Sequence, residues 1–465
     1  MNRKLKRNTL LILSSLIIIA VSFSIVLMDD TIILDDDIPL GIDALTEQMD
    51  YINNSGESIM TGEDYIDSRI TDTIWANVLY YGAKGDGASD ETSYIQKAID
   101  DSAKKGTVAF IPKGEYLINI DKTLKLRDNT ILLMDKDAIL KAIPSKSSKT
   151  AIIAITQVDN IAIIGGIIEG DRNNHLGDDG EWGMGIRMYG AKDVLVKGTQ
   201  ANNCWGDGFY IGTSLLRNFS ENIKLVDVSA DNNRRQGISL ISGRNIEILR
   251  PRLTRTGGTA PSAGIDIEAN NSDDILENIK IIDAYTESNV IGIQVGLGKL
   301  NQKSEYISID ITGFSDSKSE VGIYVSANYQ IIKGYLNIEN PILTENESNG
   351  IVIYGHSHEA FDLTINRPYI LNSNAGNYTN PYDASAVAII AYRDSKRKDF
   401  IAGNIKIIDP VIEDDRTTPL ISPGFFITEP SMPFKNLIIT NPTTIGISKL
   451  IDDTNFADSF IINAS

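Results

Sequence analysis

The chain has 465 residues, 42% of them hydrophobic, and a formal charge of −19. That length suits one large domain or two ordinary ones. The charge argues against nucleic acid or an anionic membrane surface as the main partner, while an acidic polysaccharide stays open because a local Arg cluster or a bound cation can reverse the sign of one groove. Cys204 is the sole cysteine, so neither a disulfide framework nor a thiolate metal cluster is available. Thirty-seven Gly against 14 Pro, with abundant Ile, Asn and Asp, suit many short strands joined by turns.

The N-terminus carries Arg3, Lys4, Lys6 and Arg7, then an uncharged, mostly apolar run from Thr9 to Met28 closed by Asp29 and Asp30. Basic residues before such a run and acidic ones after it place the N-terminus inside and the body outside. The run is long enough to span a bilayer, and no small-x-small cleavage site stands out near its end. An uncleaved signal anchor over residues 1–28 is therefore favoured over a cleaved signal peptide. The expected protein is membrane-anchored with an extracellular body, or secreted. Residues 29–73 are acidic and aperiodic and read as a linker. Residues 74–465 form the body.

The body opens with NVLYYGAKGDGASDETSYIQKAIDDSAKKGTVAFIPKGEYLI. A strand is expected at Val78–Tyr81 and a Gly-rich turn over Gly82–Gly87. A helix capped by Ser89 or Asp90 should follow, with Ile95, Ala98 and Ile99 on its apolar side. Gly106 should end that helix before a strand at Thr107–Ile111. The YGAKGDGxxDET block, the helix and the V-x-F-I-P-x-G-x-Y strand resemble the entrance of pectate-lyase-like right-handed β-helix proteins. The resemblance covers Val78 to about Leu117. It implies an all-β, right-handed parallel β-helix with a short N-terminal capping helix. It is a weak guide to chemistry, since lyases, hydrolases, epimerases and plain binding proteins share the fold.

Two series of short motifs then run through the chain. One is Asn-Ile-x-Ile, at Asn160, Asn245, Asn278 and Asn404, with Asp193, Asn222, Tyr306 and Asn436 opening variants. The other is Gly-apolar-x-apolar, at Gly185, Gly208, Gly237, Gly264, Gly292, Gly322 and Gly350. The repeat of roughly 22–33 residues lies in the solenoid range. Two strands per repeat are expected, burying their apolar side by stacking, with Asn accepting the positive φ of the turns.

Alternation in the Gly series points Arg187, Tyr210, Ser239, Asp266 and Gln294 outward on successive coils, with Glu268 two residues beyond Asp266. Asp207, Arg234 and Arg235 lie just before their strands. The loop Gly170–Gly185 adds Asp171, Arg172, His175, Glu181 and Trp182, and Trp205 adds another flat ring for sugar stacking. Asp207, Asp266, Glu268 and Arg235 are the candidate catalytic residues. Arg187, Trp182, Trp205, Tyr210, Arg234, Ser239, Asp171, Arg172, His175 and Glu181 are the candidate substrate-binding residues. The bland alternatives are a solvated outer face for Asp266 and Glu268, a structural salt bridge for one Arg, a turn role for Asp207 and a self-packed loop. The pair His356-x-His358 reads as a turn or surface feature, without the further ligands a zinc site needs.

This set supports an exported enzyme acting on a polysaccharide. An inverting glycoside hydrolase needs two carboxyls about 6.5–9.5 Å apart, which Asp207 offers with Asp266 or Glu268. A uronate lyase would use Arg234 or Arg235 as base, with Ca²⁺ held by Asp207, Asp231 and Asp266. The hydrolase is favoured because carboxylates cluster and no basic groove is evident. No metal is expected for it. A non-catalytic carbohydrate-binding surface or tailspike-like protein is the third reading.

Overall fold

The structure, a computed structural model, describes residues 75–392, 397–427, 433–452 and 460–463. The expected signal anchor and linker lie outside the described residues. Among the described residues no helix is long and apolar enough to cross a membrane.

Three parallel sheets of 14, 13 and 12 strands run the length of the molecule, each strand paired with the equivalent strand one coil away. The chain is an all-β, right-handed parallel β-helix. Each coil visits the first, second and third sheets in turn. The expectation of two strands per coil therefore misses one. From Ile167 onward the second-sheet strands, such as Ile167–Glu169, Gln200–Asn202 and Ser229–Asp231, are three residues long, too short to show a period.

The two motif series have separate physical causes. The Asn series opens the first-sheet strands, where Asn160, Asn222, Asn245 and Asn278 hold φ of 60°, 54°, 56° and 52°. Their amides stack into a ladder: Asn245 Nδ2 donates to Asn222 Oδ1 at 2.9 Å, and Asn278 Nδ2 to Asn245 Oδ1 at 2.8 Å. Asn suits both tasks, tolerating left-handed φ while offering a donor and an acceptor. The Gly series opens the third-sheet strands, where backbones pass too closely for a side chain. A Cβ on Gly208 would stand 2.8 Å from Gly237 O, and one on Gly237 2.5 Å from Gly264 O. Behind this ladder Ile186, Phe209, Ile238, Ile265, Ile293 and Ile323 stack in register as one inward column, each with no exposed surface.

At the entrance, helix α1 (Thr92–Lys105) buries Ile95, Ala98 and Ile99 and ends at Gly106 with φ 66°. Asp90 serves its first turn, accepting from Thr92 N at 3.0 Å. The expected strand at Val78–Tyr81 is instead a 3₁₀ turn capped by Asn77, and the pairing strand is Ala76–Asn77. A side-chain cap on Leu79 N outcompetes the ladder there. His356 is likewise buried rather than superficial. Its Nδ1 lies 2.8 Å from Gly403 O, and burial lowers its pKa to about 4.

Candidate active site

The third sheet carries the residues the alternation singled out. Arg187, Tyr210, Ser239, Asp266 and Gln294 pair in that order on strands Met184–Tyr189, Phe209–Gly212, Ile238–Leu240, Ala263–Glu268 and Ile291–Gly296. Tyr189 and Gly212 pair on a neighbouring row, as do Glu268 and Gly296. Gly212 has no side chain because the Tyr210 ring fills that space, with a Cβ there 2.7 Å from it. The edge of Tyr189 meets Tyr210 at 5.4 Å between centroids. The row faces outward, yet Ser239 and Asp266 have no exposed surface and Tyr210 only 8%.

Asp207 and Arg235 reach this face from the corner between the second and third sheets. The corner repeats on successive coils: Asn203 and Asn232 both turn at φ 52°, and Asn233 locks the two turns by accepting from Cys204 N at 2.8 Å and donating to Ala201 O at 2.9 Å. Equal turns set Asp207 and Arg235 against each other, with Arg235 Nη1 3.2 Å from Asp207 Oδ2. Ser239 Oγ donates to the same oxygen at 3.0 Å. Burial pushes the Asp207 carboxyl up to about 6, against the Arg235 charge and the Ser239 hydrogen bond. Burial acts to lower the pKa of Arg235, but Asp207, Asp266, Glu181 and Glu268 outweigh it and hold the guanidinium protonated. Arg235 Nε and Arg187 Nε are buried without a hydrogen-bond partner. Glu181 Oε2 stands 3.9 Å from Arg235 Nε.

Asp266 sits in an amide cage. Gln236 Nε2 donates to Oδ2 and Gln294 Nε2 to Oδ1, each at 3.0 Å, while Gln236 Oε1 accepts from Ala263 N at 2.6 Å. Burial, and next the charge of Glu268, push Asp266 up to about 8, so it is a neutral acid at pH 7. Glu268, the next outward residue, is half-buried, and its pKa is raised, first by burial, against the pull of Arg235. An Asp with a raised folded pKa contributes stability that is fully present below its unfolded value and lost as pH rises through about 8. Asp266→Asn, which copies the neutral acid, should remove that loss. Its melting temperature should rise above that of the native protein as pH goes from 5 to 8.5, each pH unit of the window being worth about 1.4 kcal/mol. Parallel melting curves for the two proteins would contradict a neutral Asp266.

The loop Gly170–Gly185 divides its residues between packing and display. Asp171 accepts from Ser145 N at 3.1 Å and lies 2.8 Å from His175 Nδ1. Arg172 donates to Asn232 O at 2.8 Å and Gly257 O at 2.6 Å. His175 stacks on Trp205 at 4.0 Å, and Arg234 covers that indole at 3.9 Å while donating to Gly180 O at 2.7 Å. These five residues pin the loop to the coil corner. Glu181 and Trp182 remain exposed, Trp182 beneath Lys149 Nζ at 5.3 Å. Of the two arginines, Arg235 joins the carboxyl group and Arg234 joins the loop. The cage residues Gln236 and Gln294 were not singled out as site residues. Gln294 was visible as the row neighbour of Asp266; Gln236 had no signal, since it belongs to a turn. Among the described residues no group of three or more His, Cys, Asp or Glu is placed to hold a metal ion.

Comparison with known proteins gives the architecture its place. Residues 75–160 match a family model described as rhamnogalacturonase A/epimerase, pectate lyase-like. The fold superposes on a family 28 exopolygalacturonase of Yersinia enterocolitica with a TM-score of 0.58 at 15% identity, covering 84% of this chain and 78% of that one. The protein is a pectate-lyase-like parallel β-helix. Its sequence is 29% identical over 226 residues to the uncharacterized protein YclG of Bacillus subtilis, covering 43% of this chain and 38% of YclG. It is 24% identical over 384 residues to the plasmin and fibronectin-binding protein A of Streptococcus pneumoniae, covering 77% of this chain and 48% of that protein. The pectate-lyase-like β-helix thus spans less than half the length of either relative, and its likeness to the exopolygalacturonase concerns the fold.

Proposed function

We propose that this chain is an exported glycoside hydrolase that cleaves a cell-surface or extracellular polysaccharide on the outer face of its third sheet. One observation carries the reading: Glu268, two residues beyond the buried Asp266 on the outward side of its strand, is half-buried with its pKa raised and feels the charges of both Arg235 and Glu181. Glu268 is the general acid that protonates the leaving oxygen. Glu181, exposed and next to Arg235, is the base that activates water. Arg235 holds the Glu181 carboxylate in place through its charge. Asp207 and Asp266 have no exposed surface, so they are positioning residues: Asp207 holds Arg235, and Asp266, fixed by its two glutamine amides, sets the strand from which Glu268 projects. Tyr189, Trp182 and Arg187 offer the sugar rings two flat faces and a charge.

The match of residues 75–160 to the rhamnogalacturonase A/epimerase model supports a polysaccharide substrate. A lyase with Arg235 as base is disfavoured, because its carboxylate neighbours keep the proton on the guanidinium. A non-catalytic role as a surface protein has one observation in its favour, the relative matched over most of this chain being a plasmin and fibronectin-binding protein. The basic N-terminus and the apolar run after it support export with membrane attachment.

The test is incubation of the protein with a panel of neutral, amino-sugar and uronic-acid polysaccharides, with and without a chelator. New reducing ends and ultraviolet absorbance of unsaturated products are both followed. Reducing ends without absorbance, unchanged by the chelator, are expected. Absorbance that the chelator abolishes would establish a cation-dependent lyase. Silence in both channels would favour the binding role.

A further inference from the structure

Beyond the carboxyl face, the corner between the second and third sheets opens into a groove of about 970 Å³. It begins at Thr256, on the coil after Arg234 and Arg235, where Gly257 N donates to Asn233 O at 3.2 Å. It crosses Val290, Glu320, Glu347 and Gly376 on successive coils and ends at Arg416. Five coil spacings of about 4.8 Å give it a length of about 24 Å, that of an extended chain rather than a single small molecule.

Most residues lining it are polar or charged, with Val290 and Leu420 the apolar exceptions of any size. Both cations in it are already engaged: Lys318 Nζ lies 3.7 Å from Glu345, and Arg416 Nη2 lies 2.7 Å from Asp414. Glu320 and Glu347, exposed on successive coils, have no cation within ion-pair distance among the described residues. At the end nearest the carboxyl face, Thr256 is 2% exposed and its hydroxyl has no hydrogen-bond partner. A buried hydroxyl left unpaired costs about 1–3 kcal/mol, which a ligand hydroxyl at that end would relieve.

We infer that this groove binds a glycan carrying free amino groups, seated lengthwise along the coil corner. Its hydroxyls meet Thr256, Ser288 and Asn372, and its ammonium groups meet Glu320 and Glu347. A polyuronate would bring like charge to the same two carboxylates, so the groove selects against it. The ligand class rests on the polysaccharide reading above; the groove and its surplus charge do not.

Titration calorimetry on the full-length protein with three probes tests this: a glucosamine hexamer, the N-acetylglucosamine hexamer and a lysine hexamer. The first two share a ring skeleton and differ in charge, while the third supplies charge without the sugar. The glucosamine hexamer should bind about tenfold more tightly than either of the others, a preference that high salt weakens. Glu320→Gln/Glu347→Gln should abolish the preference, whereas Glu305→Gln/Glu359→Gln, the same charge change on exposed residues elsewhere, should keep it. Equal binding of the two sugars, tighter binding of the lysine hexamer, or a preference surviving in the groove variant would each overturn the inference. The outcomes separate from the hydrolase reading. A protein that cleaves a polysaccharide but treats the three probes alike loses only the groove, and one that prefers glucosamine but cleaves nothing loses only the hydrolase.

Discussion

Replacing Glu268 by Gln is expected to lower polysaccharide cleavage by about 10²–10⁴-fold while leaving substrate affinity within a few-fold, because the amide keeps the shape of the acid but has no proton to give. The position follows from the strand. Asp266 and Glu268 point to the same side, but only the second escapes the amide cage, so it is the carboxyl a sugar can touch. Glu181→Gln should be comparably slow, and an added small nucleophile such as azide should restore part of its rate, since the base acts through water. A Glu268→Gln enzyme with native turnover on its best substrate would remove Glu268 from the chemistry.

Arg235→Met should cost about 3–5 kcal/mol of stability and most of the activity. The ion pair with Asp207 is buried, so loss of the guanidinium leaves a carboxylate that water cannot reach. The sign is fixed by the pKa of that carboxyl. Asp207 already titrates at about 6, and without Arg235 it moves higher. The variant can therefore shelter as the protonated form at pH 5 and must bear the charge, or hold its proton, at pH 8. Urea midpoints should differ from native more at pH 8 than at pH 5. Arg235→Lys, which restores charge without the planar fork, should recover stability better than rate. Equal destabilisation at both pH values would show that the pair matters through packing alone.

What the sequence revealed and what it hid divide along physical lines. Strand alternation is a property of neighbours in the chain, so the outward row from Arg187 to Gln294 was legible residue by residue, as were the Asn turns and the helix from Thr92. Depth is not such a property. Asp266 and Glu268 look equivalent on paper, and only packing from neighbouring coils hides one and leaves the other half-open. The corner residues were harder still. Arg234 and Arg235 are adjacent, yet one stacks on Trp205 and the other pairs with Asp207, a choice made by the turn geometry rather than by either residue. The three-residue strands of the second sheet carried no pattern to read.

The coil-by-coil register gives the molecule an axial ruler. Asp207, Arg235 with Ser239, and Asp266 with Glu268 occupy three consecutive marks on it, and the amino-sugar groove begins beside the last of them. A whole coil gained or lost beyond Gly350 would lengthen or shorten the rod and leave those marks untouched. The same event between Ser239 and Asp266 would move the two halves of the carboxyl cluster apart by about 4.8 Å, with every hydrogen bond of the new coil satisfied. In such a fold chemistry can be dismantled by insertion without any loss of folding.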